Sequence, residues 1–405
     1  MRDGPYLLDF PHPYRAMLAL SNDIDGTSWD DFLAVHRQFE GMGLPFADSI
    51  FVYQIPGARE WGLSLAEYPS FSDTPHTETL LTMTTRGRID TLHGLGNHSG
   101  VGGVDRKTAE RAARFLLERG LSFPVWTNHG DSKNLHNVRI GSGDDPTSPA
   151  YVADLLTPIG VRFLWIGDLV PFVGQGRRLL LTDTYLNRLL HPSLFMRTIG
   201  LFRYLAKWAV TRNDPLDHSI NDLIYPVTLA DGRRFWAFRR FGRWDSAQRE
   251  DLTEILSEGN LKRLCRRGGY MIVYIHLGKT GGRGGSSFSG EEGRALERLA
   301  RYFRERKILV TTTGRLLAYH LVRRGLAFSV TRSRNRYMIN ILGIRDELTG
   351  DRIADSHDLR GITFSVPREA EAVLSISNRP IRNAVIEEGP HLSRYIGVPW
   401  EALGG

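Results

Sequence analysis

The chain has one cysteine, Cys265, in 405 residues, which excludes an intramolecular disulfide and any zinc cage built from thiolates. A metal held by this protein has to use histidine and carboxylate. No window approaches the roughly 18 apolar residues of a membrane-spanning helix, and the opening MRDGPYLLDFPHPYR lacks the apolar centre of a secretory signal. A cytoplasmic location with no transmembrane segment is the expectation from these two absences. Low-complexity tracts are missing as well, and 41% hydrophobic with 24% charged residues is the composition of a chain able to bury a core. An acidic excess is absent. The formal net charge of +7 is mild over this length, and its basic residues come as doublets, Arg233-Arg234, Arg239-Arg240, Arg266-Arg267 and Arg323-Arg324. Doublets set among apolar patterns read as solvated faces, or as the rim of a site for an anionic substrate, and no nucleic-acid partner is expected.

Two catalytic signatures are also missing. No G-x-S-x-G elbow occurs, which removes the usual mark of a serine hydrolase. Gly278-Lys279-Thr280 resembles the end of a phosphate-binding loop, but Val273 stands where that loop needs its first glycine, so nucleotide binding is not expected.

What is present is a long alternation. Apolar runs at 16–21, 48–55, 88–93, 122–127, 161–166, 234–241, 270–275 and 308–312 read as strands. Between them, 28–41, 106–120, 186–210, 252–267, 290–306 and 314–323 carry helical spacing. Strands separated by helices argue for a parallel sheet. Polar residues follow the strands at 23–25, 93–98, 128–129, 167–168 and 276, and a barrel would bring those strand ends to one face. The predicted fold is therefore α/β, a deformed (β/α)7-8 barrel over 1–324. From about Gly325 the texture changes to short alternating runs, and 325–405 is predicted to be a small antiparallel β module.

Candidate chemistry sits at those strand ends. Asp23 and Asp25 lie two apart in a loop with Gly26, where one carboxylate suits a metal and the other a base; capping the next helix is the alternative role. Close carboxylates repel unless a cation or a shared proton relieves them. His93 and His98 bracket HGLGNHSG, and His129 and His276 each stand just past an apolar strand. Neutral imidazole is the commonest metal ligand. His136 lies deeper in its loop and reads as structural.

In order and spacing, residues 14–320 resemble the polysaccharide deacetylase (NodB-homology) family. Leu20-Ser21-Asn22-Asp23-Ile24-Asp25-Gly26 is similar to its Thr-Phe-Asp-Asp-Gly motif with one residue inserted, and Gly96-Asn97-His98-Ser99 to the opening of its His-Ser/Thr-x-x-His motif. Ile275-His276 is similar to its late Leu-x-His motif. The second motif departs from the pattern, with Gly102 four residues beyond His98, and the Arg-x-Pro-Tyr motif is replaced by WTNHG, which carries His129. The resemblance implies a mononuclear divalent site, zinc above others, with Asp25 as a ligand and two of His93, His98 and His129 beside it. It also implies Asp23 as general base, His276 as general acid, and hydrolysis of an N-acetyl or O-acetyl group on a carbohydrate. Trp126, Trp165 and Trp236 are candidate stacking faces for a sugar ring, each equally suited to the core, and Asp168 is a further candidate at the substrate. Two rival functions remain at this level: a metal-independent glycoside hydrolase using a pair such as Asp25 and Asp168, and a non-catalytic carbohydrate-binding descendant.

Overall fold

The computed structural model describes residues 4–54, 69–72, 74–97, 105–129, 134–187, 190, 192–279, 288, 290–389 and 393–401. Its centre is the strand Ala16–Asn22, whose residues are all buried. It runs parallel to Tyr270–Ile275 and to Ile308–Thr311, which are equally sealed. Continuous apolar runs of this kind belong to parallel strands covered on both faces. From Ala16–Asn22 the sheet passes to Ala47–Gln54, Ile89–Asn97, Val125–Thr127 and Phe163–Trp165, all parallel.

Two segments then run side by side, and both are broken. Phe163–Trp165 pairs with Arg234–Phe238, and Leu169–Val170 pairs with Arg240–Phe241. Arg240–Phe241 continues the sheet to Tyr270–Ile275. The break at Gly167, held at φ +108°, is one that a residue bearing a Cβ would resist. The result is an open sheet whose path of ten strands curls through 273°, a deformed barrel flanked by helices.

The helices form where their caps are. Ser28 Oγ accepts from Asp31 N at 3.2 Å to open Trp29–Gly41, and Asp105 accepts from Thr108 N at 2.8 Å to open Arg106–Glu118. Each satisfies an otherwise orphaned amide of the first turn. Two helical expectations are corrected. The segment 252–267 divides into Leu252–Ile255 and Glu258–Arg267 because Ser257 caps the second piece. The helix expected from 186 begins only at Leu194, beyond Pro192, which lacks the amide a continuing helix needs.

Beyond the helix Thr313–Gly325, the expected C-terminal β module is present, as two four-stranded sheets that are antiparallel except for one parallel pair. In the first, Arg336–Ile344 pairs antiparallel with Leu326–Ser333 and parallel with Glu371–Ile376. The second takes in a strand from the other end of the chain, Tyr6–Leu7, beside Thr363–Pro367. A hydrophobic cluster that includes Met17, Ile272 and Leu317 of the barrel continues into Ile339, Phe364 and Ile396 of these sheets.

Candidate metal centre

The carboxyl ends of the strands converge as a barrel requires. Asp23 and Asp25 follow Ala16–Asn22, and Asp23 N donates to Ile275 O at 2.9 Å, which ties this turn to the strand that ends at His276. Gly26, at φ +61°, turns the chain back. Because Ser28 caps the following helix, neither aspartate is spent on that task. Gly278 lies so close to Thr27 that a Cβ there would overlap the threonine side chain, so the loop after His276 approaches the Asp25 loop only because that residue is glycine.

Asp25 is the hub. Its Oδ1 lies 3.1 Å from His93 Nε2 and 2.8 Å from His129 Nε2, and its Oδ2 lies 3.1 Å from His276 Nε2. All four side chains are buried. Burial alone would raise the Asp25 carboxyl, but the charges of His129 and His93, and hydrogen bonds from His129 and His276, hold it well below the ordinary carboxylate range. For His276, burial opposes the charged form, yet the hydrogen bond and charge of Asp25, with the charge of Asp23, lift the imidazole above its ordinary value.

Each histidine is aimed by a second contact. His93 Nδ1 is 2.7 Å from Thr127 Oγ1, and His276 Nδ1 is 3.0 Å from Ala247 O. A carbonyl can only accept, so His276 carries its proton on Nδ1 when neutral and presents Nε2 to Asp25. The backbone of His129 is pinned on both sides by one side chain: Asn137 Oδ1 accepts from His129 N at 3.0 Å, and Asn137 Nδ2 donates to His129 O at 2.6 Å. Asn128 fixes the same turn by donating to Val138 O at 2.9 Å.

Asp23 is held differently. Arg240 Nη1 donates to its Oδ2 at 2.7 Å, and Ser49 Oγ lies 3.4 Å from its Oδ1. The Arg240 guanidinium lies 4.0 Å over the Trp165 ring and 5.4 Å from that of Tyr274. Two buried aspartates are thus kept apart electrostatically, one by a guanidinium and one by imidazoles. Behind them Asn22 donates to Asp48 and accepts from Leu277 N at 2.6 Å, while His36 Nε2 meets Asp48 at 2.8 Å. This buried chain joins the strand end bearing Asp23 to the residue after His276.

The donor set suits a divalent cation. Two ligands on one ion at about 2.1 Å lie roughly 3.0–3.4 Å apart, close to the spacings between Asp25 Oδ1 and the two imidazoles. Two groups, Asp25 with His93 and His129, and Asp23 with Asp25 and His276, each have ligand atoms within 4.8 Å of one another. Two imidazoles and a carboxylate serve zinc and other first-row divalent ions alike. The orienting partners Thr127 and Asn137 are of the kind that fix metal ligands.

The remaining sequence candidates fall elsewhere or out of reach. His98 lies outside the described residues. Asp168 is outside both groups; its carboxylate accepts from the Tyr225 hydroxyl. Trp126 and Trp236 are sealed in the core, with Nε1 donating to Asn128 and Asp346 respectively. Trp165 is equally buried but forms the wall behind Arg240. His136 is buried in the loop that carries Asn134 and Asn137.

Two residues beside the candidate site, Arg240 and Trp244, are not among the candidates named from the sequence. The Arg239-Arg240 doublet is expected on a solvated face or an anionic-substrate rim, but Arg240 has no exposed surface. No local signal marks it, because Phe235, Trp236, Ala237 and Phe238 are all buried and strand parity therefore does not single out Arg240. Trp244 is 58% exposed and stands 5.6 Å from Trp165 and 5.8 Å from Tyr274, which in turn is 5.1 Å from His276.

The curled sheet and the buried Asp/His cluster together are features of deacetylase-like barrels. Comparison of the chain with protein-family models, with curated proteins and with solved structures finds no match, so a functional reading rests on this geometry.

Proposed function

We propose that the protein is a metal-dependent carbohydrate deacetylase, a divergent relative of the polysaccharide deacetylase (NodB-homology) family, that hydrolyses an N-acetyl or O-acetyl group of a sugar with zinc as its ion. The observation that carries this reading is the convergence of His93 and His129 on one oxygen of Asp25, with Asp23 paired to Arg240 alongside and His276 on the other oxygen.

A divalent ion held by Asp25, His93 and His129 would polarise the acetyl carbonyl and acidify water. Asp23, held in place by Arg240, accepts the proton of the attacking water. His276, with Nδ1 committed to the Ala247 carbonyl, delivers a proton from Nε2 to the departing amine or alcohol. The exposed ring of Trp244, backed by Trp165 and Tyr274, offers the sugar a stacking face beside His276. His129 supplies the second imidazole that the broken second motif lacks, which supports catalysis over binding alone. The engagement of Asp25 by three imidazoles and of Asp168 by Tyr225 disfavours a pair of free carboxylates working as a glycosidase.

The test is acetate release from a panel of N-acetylated and O-acetylated saccharides by protein of measured metal content. Turnover that disappears on chelation and returns with zinc is the expected result. Stoichiometric metal with no acetate released from any member would sink the deacetylase reading, and metal-free turnover of a glycosidic bond would replace it.

A further inference from the structure

Between Leu169–Val170 and Ile224–Thr228 the chain makes a long excursion that the site does not use. Its main element is the helix Leu194–Thr211, LFMRTIGLFRYLAKWAVT, of 18 residues, none of them buried. An amphipathic helix normally turns its apolar face inward. This one turns it outward: Leu194 and Phe195 are 70% exposed, Phe202 67% and Val210 84%. At 3.6 residues per turn, Trp208, Leu194, Leu205, Phe202, Phe195 and Val210 fall in one broad arc. Arg203 and Lys207 border that arc on one side and Arg197 on the other. The inner side is narrow, with Tyr204 against Tyr185 at 6.0 Å and Gly200 packed on the same ring.

Charge decides what can cover such a face. From Tyr185 to Asn213 the sequence holds no aspartate or glutamate. A second copy docked about a two-fold axis would set Arg203 and Lys207 near their own counterparts with no carboxylate on the helix to pair them. A surface of phosphates would meet them favourably. The helix also fits lying on a bilayer rather than crossing one: among the described residues no helix is long and apolar enough to cross a membrane, and Arg203 and Lys207 interrupt this one.

The amino ends of the barrel strands, to which the excursion is fastened, carry the same sign. The excursion is fastened at the amino end of the His276 strand, where Gln175 pairs with Tyr270 and Arg267 binds Asp183 at 2.6 Å. The amino ends of Ala16–Asn22, Tyr270–Ile275 and Ile308–Thr311 border a cleft lined by Arg15, Lys262, Arg266, Arg301, Arg306 and Lys307, with only Glu258 and Glu305 as acids. The Asp25 cluster lies at the opposite, carboxyl ends of the strands.

We propose that Leu194–Thr211 docks the protein on the surface of an anionic phospholipid bilayer. The Phe195, Phe202, Leu205 and Trp208 side chains enter the boundary between headgroups and acyl chains, and Arg197, Arg203 and Lys207 pair with lipid phosphates. Docked in this way, the protein keeps the Asp25 end of the barrel turned from the lipid. This proposal does not depend on the reaction catalysed.

The experiment is flotation of the full chain with vesicles of phosphatidylcholine, alone or with phosphatidylglycerol making up about a third of the lipid, at low and high salt. Binding to the anionic vesicles at least about tenfold tighter than to neutral ones, and weakened by salt, is expected. Phe202→Asp and Leu205→Asp should each abolish it, and Lys207→Glu should weaken it about fivefold or more, all with unchanged circular dichroism and metal binding because these side chains are exposed. Absence of flotation overturns the proposal, as does binding that Phe202→Asp leaves intact. A dimer that Phe202→Asp converts to monomer, without vesicle binding, reassigns the face to self-association.

Discussion

Arg240 and Asp23 form a salt bridge of 2.7 Å in which neither side chain has appreciable contact with solvent. Buried pairs of this kind are costly to break singly, because the survivor is left as an uncompensated charge. Arg240→Met is expected to destabilise the fold by about 3–5 kcal/mol, measured by urea denaturation of the metal-free protein. Adding Asp23→Asn should recover much of that loss while leaving the protein inactive. A double variant no more stable than Arg240→Met would show that the two residues do not compensate each other.

The two halves of the Asp25 cluster should separate by metal content. His93→Gln and His129→Gln remove imidazoles that share Oδ1, and each should retain little metal after dialysis, as measured by plasma mass spectrometry. His276→Gln should retain its metal and lose about 10²–10⁴-fold in turnover. Metal loss equal to that of His93→Gln would make His276 a ligand instead.

Metal removal should also be visible without any substrate. An ion that binds only the folded chain stabilises it by about 2.7 kcal/mol at a concentration one hundred times its dissociation constant. Dialysis against a chelator is therefore expected to lower the melting temperature by a few degrees, and zinc should restore it. Asp25→Asn, which keeps the shape and removes the charge, should show no such response.

Trp244 tests the stacking face. Its ring is largely exposed, so Trp244→Ala should lower the melting temperature by no more than a few degrees, since exposed substitutions cost little. A rise in KM with a smaller change in kcat is the expected signature of a lost platform. An unchanged KM would move sugar binding elsewhere.

His320 gives a pH dependence distant from the metal. Burial, then the positive charges of Arg324, Arg323 and Arg177, push its imidazole down to about 3, and its ring packs on Tyr270 with centroids 4.7 Å apart. Because the unfolded chain takes up this proton near its ordinary value of about 6.5 and the native chain does not, stability is full above that value. It falls as pH drops toward 3, by roughly 1 kcal/mol per unit from this group. His320→Phe should flatten the decline between pH 6 and 4 in thermal melts. An unaltered slope would show that His320 does not carry it.

The residues that cluster around Asp25 were legible as candidates before the fold. Asp23, Asp25, His93, His129 and His276 each stand just past an apolar run or at its last residues, and strand ends in a (β/α) barrel share one face. The division of labour among the histidines was not legible. Nothing in spacing says that His93, at the middle of Ile89–Asn97, and His129, in the turn after Val125–Thr127, reach the same oxygen. That depends on parallel pairing of the two strands, with Thr91 opposite Val125 and Leu92 opposite Trp126.

Most strand and helix positions, the parallel character of the sheet and the polar residues at strand ends were determined by the sequence alone, because hydrophobic periodicity and capping act over a few residues. Three features were decided only by tertiary structure. Arg240 became an interior cation because two neighbouring segments break at the same level and turn it onto Trp165. The N-terminal Tyr6–Leu7 strand joined a C-terminal sheet across hundreds of residues. The apolar arc of Leu194–Thr211 faced outward, since which side of a helix is covered depends on what packs against it, and Tyr185 packs on the side of Tyr204 and Gly200.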